Sequence, residues 1–74
     1  MNELNNETKV GILRAKIAQY RQQYYSHQVD AQIARDIGGM EDMLKAAQTN
    51  MANTQKIIDA LEKIAGSIVD AEKS

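Results

Sequence analysis

The chain is predicted to be all-α: an antiparallel two-helix hairpin of coiled-coil-like character, turning at Gly38-Gly39 and completed by oligomerisation into a helical bundle. Three observations predict it. No proline interrupts the 74 residues, and the chain is rich in Ala, Gln, Lys, Glu and Met, all good helix formers. Two stretches place apolar or small residues at alternating steps of three and four, the spacing of a heptad seam. These two seams are out of phase with each other by one residue, and the break falls on the glycine pair.

The first helix, about residues 6–37, carries the seam Val10, Leu13, Ile17, Tyr20, Tyr24, His27, Ala31 and Ala34. Continued without interruption, that seam would next meet Gly38, Glu41 and Lys45, a glycine, an acid and a base that cannot form an apolar stripe. Two interior glycines cost a helix only ~2 kcal/mol, so the phase break argues against a single rod more strongly than the glycines do. At the turn, Gly38 suits the left-handed conformation that ends a helix, and Arg35 in the last turn complements the dipole. Asp36 has the wrong sign for that place and no role in this scheme. Glu41 and Asp42 open the second helix, where negative charge is stabilising. Those same carboxylates argue against reading "IGGMED" as a phosphate-binding loop.

The second helix, about 40–71, carries Leu44, Ala47, Met51, Thr54, Ile58, Leu61, Ala65 and Ile68. Packed antiparallel, the two seams pair in order from Val10 with Ile68 to Ala34 with Leu44. The two numbers in every pair add to 78, which puts the fold-back point at Gly39. Arg14 and Glu62, both flanking the seam, are then expected to face each other. The whole chain, 1–74, is one hairpin. It is a small one, in the range where a chain buries only ~60% of its unfolded surface. Its only aromatics are three tyrosines, and it has no cysteine for a disulfide. A partner or a second copy is the remaining source of stability.

Composition narrows the function classes. The net charge is −1, split as +1 over residues 1–37 and −2 over residues 38–74, which gives no global case for nucleic acid. The start, "MNELNNETK", lacks the basic-then-apolar order of a signal peptide, and no apolar run approaches the ~20 residues of a membrane span. A cytoplasmic, intracellular protein is expected. No enzyme chemistry assembles: His27 has Asp30 three residues on, but Ser26 projects elsewhere and no oxyanion site accompanies them. No cofactor and no metal site is expected; His27 reads as a histidine tolerated in a seam layer. The segment 46–55 is small and polar on most faces, and Asn50 and Asn53 read as helix surface.

Two features point to binding. Val29, Ile33 and Ile37 recur at four-residue spacing toward Met40 at the turn, while Ile57 and Ile64 form a second row near the far end of helix 2. Ile12 and Val69 also lie off the seam. Rows of apolar residues unused by the intramolecular seam suggest a second packing surface. The other feature is the stretch 9–25, where Lys9, Arg14, Lys16 and Arg21 are interleaved with tyrosines and Tyr25 is off the seam. Cations with stacking aromatics suit a nucleotide or single-stranded nucleic acid. However, Arg14 and Arg21 flank one side of the seam and Lys9 and Lys16 the other, as in ordinary helical bundles.

In size and architecture the chain resembles, in a generic way, the small helical-hairpin products abundant in bacteriophage and prophage genomes. It differs from the secreted helical hairpins with a Trp-x-Gly turn, having "IGG" at the turn and no tryptophan. The residues themselves predict a non-enzymatic interaction module that self-associates, with a dimer favoured. It would bind a further protein partner as an assembly component or regulator of a larger complex. A nucleotide- or nucleic-acid-binding module using Lys9, Arg14, Lys16, Arg21 and Tyr25 is the alternative.

Overall fold

A computed structural model describes residues 4–73. It contains two helices, α1 (Asn6–Ile37) and α2 (Glu41–Lys73), packed against each other as an antiparallel hairpin 55 × 20 × 16 Å in extent. α1 starts where Asn5, in an extended conformation, turns its Oδ1 to accept the Thr8 backbone N–H at 2.7 Å. Glu7 adds a negative charge to the first turn. This is side-chain capping of an otherwise unpaired helix-end donor.

Glycine chemistry makes the turn. The Gly38 N–H donates to the Ala34 carbonyl at 3.1 Å, prolonging the helical pattern by one bond. Its backbone then departs from the expected left-handed helical geometry. With φ 78° and ψ 156°, Gly38 combines positive φ with an extended ψ, a region that an L side chain is still less suited to enter. Gly39 follows at φ 71°. α2 begins at Glu41, one residue later than expected, and the Met40 carbonyl accepts the Leu44 N–H at 3.0 Å. Glu41 and Asp42 occupy its first turn. Asp36, for which the charge pattern offered no role, accepts the Gln32 Nε2 at 2.8 Å one helical turn away. Gln55 and Asp59 repeat this pair on α2 at 2.9 Å.

All sixteen seam positions are buried or half-buried. The core is nonetheless thin. The buried set is Val10, Ile17, Ala31, Ala34, Ala47 and Ile58 together with Thr54. Alanines dominate toward the turn, where Ala31 is 0% exposed. Larger residues fill the open end. Thr54 meets the cost of burial locally, its Oγ1 donating to the Asn50 carbonyl at 2.7 Å. Tyr20, Tyr24 and His27 are half-buried. Outside the seam, Asn6, Asp30, Met40, Met43 and Val69 are also half-buried. Among the described residues, no helix is long and apolar enough to cross a membrane.

Candidate protein interface

In an antiparallel pair the residues just after each d position (e) line one broad face of the hairpin, and those just before each a position (g) line the other. The residue composition of the two faces differs sharply here. The e face carries Arg14, Arg21, Arg35, Glu41 and Glu62 among glutamines. The g face, widened by the neighbouring c positions, carries Ile12, Ile33, Ile37, Met43, Ile57 and Ile64. Among the described residues its only charged positions are Lys9, Lys16 and Asp30.

The apolar residues of the g face fall into two patches. At the open end Ile12, Leu13, Ile64 and Ile68, with Lys9 at the edge, enclose a shallow apolar dish of about 270 Å³. Ile64 is 50% exposed, and Ile57 lies one heptad along the same edge. Near the turn are Ile33, Ile37, Met40 and Met43; Ile37 is 66% exposed, whereas both methionines are half-buried. Between the patches lie Gln19, Gln23, Ser26, Asn50 and Asn53, all exposed. Val29 departs from this grouping. Residues four apart advance about 40° beyond a full turn, so the row Val29–Ile33–Ile37 winds around α1 and leaves Val29 on its outer side. Periodicity at four-residue steps flagged the row but did not register this drift. Met43 escaped sequence reasoning altogether; its position immediately before the seam residue Leu44 was the available signal.

The cations of the alternative reading do not share a face. Arg14 and Arg21 line a groove on the e face with Ile17, Ala18, Glu62 and Ala65. Lys9 stands on the other face, beside Ile12, and Lys16 falls at a g position on that same side. Tyr25 is exposed. Within the groove Glu62 pairs with Arg21 at 3.7 Å, not with Arg14 as the register suggested. Helical side chains lean toward their own N-terminus. In an antiparallel pair they lean in opposite directions, so Glu62 leans toward Arg21 while Arg14 leans toward Val69, with which it lines a second groove. Both partners are more than half exposed, and a pair of this kind contributes little stability.

Other chemistry is sparse. Among the described residues no group of three or more His, Cys, Asp or Glu is placed to hold a metal ion. His27, half-buried in the seam, and the exposed Ser26 stand on different sides of α1. Compared with protein-family models, with curated proteins and with solved structures, the chain matches none.

Proposed function

We propose that this chain is a small non-enzymatic helical module that self-associates and works through protein–protein contact, as an assembly component or regulator of a larger complex. One observation carries the proposal. The interhelical seam fully buries three alanines, Thr54 and only three larger aliphatics, Val10, Ile17 and Ile58, while six large aliphatic side chains of the two helices remain on the surface. A hairpin of this size is marginal on its own core, and apolar rows of this kind gain most by being covered by protein. Catalysis has no assembled nucleophile and base to support it.

Sedimentation equilibrium across micromolar concentrations tests self-association directly; reversible formation of a dimer or higher symmetric oligomer is expected. A stable, fully helical monomer at all concentrations would overturn it. Recovery of a stoichiometric protein with the tagged chain from its native source would identify the further partner. Binding to a generic single-stranded oligonucleotide, measured from low to high salt, separates this reading from the phosphate-binding alternative. Tight binding that weakens steeply with salt would favour the latter.

A further inference from the structure

The two apolar patches lie at opposite ends of the same face, and this placement specifies how a second copy would sit. Numbered by height along α1, the open-end patch centres near residue 14 and the turn patch near residue 35, about 30 Å apart at 1.5 Å per residue. Between them the face is polar. We propose that the g face is the seat of a second copy of this chain, related by a two-fold axis that crosses the face near Gln23 and Ser26. Each chain then lays its turn patch, led by Ile37, over the apolar dish formed by Ile12, Leu13, Ile64 and Ile68 of the other. The inference rests on the self-association proposed above and specifies its geometry.

Charge selects this arrangement over the alternative with turns side by side. Lys9 and Lys16 stand in the open half of the face and Asp30 in the turn half. Side-by-side turns would set lysines against lysines and Asp30 against its own copy. The antiparallel arrangement brings the lysines of each chain toward Asp30 of the other, so opposite charges meet. Area is sufficient as well. The broad face of the hairpin is 55 × 20 Å, roughly 1,000 Å², against the ~800 Å² per partner of a standard stable interface. The e face offers similar area, but charge is spread along most of its length, with Arg14, Arg21 and Glu62 in the open half and Arg35 and Glu41 near the turn, and interface cores are depleted of charge. The polar middle of the g face falls on the axis, where Gln23 and Ser26 on α1 and the Asn50–Asn53 stretch on α2 of the two chains come together. Self-complementary amides and hydroxyls of this kind fix register in helical bundles.

The natural absence of cysteine makes single-cysteine variants clean probes of the full chain. Ser26→Cys places a thiol on the g face near the proposed axis; Gln28→Cys places one at similar height on the e face. Treated with a short bis-maleimide, Ser26→Cys is expected to give covalent dimer in at least tenfold greater yield than Gln28→Cys. Ile12→Cys and Ile37→Cys should cross-link with each other when mixed, and poorly when alone. Circular dichroism confirms that each variant remains helical. Preferred cross-linking through Gln28→Cys in a chain that sediments as a dimer would overturn the g-face assignment while leaving self-association intact. Efficient self-cross-linking of Ile37→Cys alone would overturn the antiparallel arrangement. A monomer by sedimentation would overturn both this inference and the reading beneath it.

Discussion

At the scale of single residues, the adjacent isoleucines of α2 have different roles. Ile58 is 3% exposed and is the largest aliphatic side chain, with Ile17, in the buried set; Ile57 stands out on the g face. Ile58→Ala removes buried methyl and methylene groups from the seam, in the layer where the register sets Ile58 opposite Tyr20. A loss of ~3 kcal/mol is expected, read as a fall in the urea midpoint at fixed protein concentration. For a hairpin of this size that loss is comparable to its whole stability, so the helical signal itself should diminish at low concentration. Asn5 gives a smaller and more local test. Its Oδ1 bond to Thr8 is the side-chain cap of α1, and Asn5→Ala should cost about 1 kcal/mol. Hydrogen exchange should report that loss as fraying of the first turn, with residues near Ile17 unaffected.

At the scale of elements, the glycines divide into two kinds. Gly38 has a backbone conformation that L side chains rarely adopt, yet a Cβ built there meets nothing within 4 Å. Any cost of Gly38→Ala is therefore backbone strain without a steric clash, and roughly 2 kcal/mol is expected. The chain is short enough for total synthesis, and D-alanine at position 38 should restore or exceed the parent thermal midpoint, since the mirror-image residue tolerates positive φ. Equal destabilisation by both enantiomers would show that the turn has another conformation. Gly11 and Gly66 are the opposite case: helical, also with open space around them. Replacing either with alanine should stabilise the hairpin by up to ~1 kcal/mol. Why α1 and α2 keep glycine at these positions has no explanation in the intramolecular packing. Much of this element-level structure was legible in the sequence. Burial follows the three-four periodicity because seam positions face the partner helix at any supercoil, hence all sixteen lie in the contact. Periodicity does not encode the lean of side chains, so the partner of Glu62 was displaced from Arg14 to Arg21. Nor does a charge count reveal Asp36 as a hydrogen-bond acceptor for Gln32.

At the scale of the whole molecule, the fold and the candidate interface were legible to different degrees. The rows of unused apolar residues stand out in the sequence, but their division into two patches on one face, with Val29 left off it, emerges only once α1 and α2 are packed. Only then do Ile12 and Ile64, 52 positions apart in the chain, border one dish, and only then is Val29 separated from Ile33. The division yields the final prediction. If folding of the hairpin is completed by a second copy, its thermal midpoint must rise with protein concentration, since mass action then stabilises the native state. Ile33→Asp places a carboxylate on the g face at a position that is partly exposed in the single hairpin. In the isolated chain that change costs little, because the carboxylate remains solvated and surface substitutions rarely exceed ~0.5 kcal/mol. In an assembled bundle the same carboxylate must be desolvated among the opposing isoleucines, and Lys16 of the second copy, already facing Asp30, offsets only part of that cost. The variant should therefore match the parent at the lowest concentrations and fail to gain stability as concentration rises, so that its midpoint stays nearly flat over a hundredfold range. Arg14→Asp on the e face should leave the parent's concentration dependence in place. A parent midpoint that is itself independent of concentration would mean that the thin seam between α1 and α2 is sufficient alone, and that the exposed isoleucines serve a different protein.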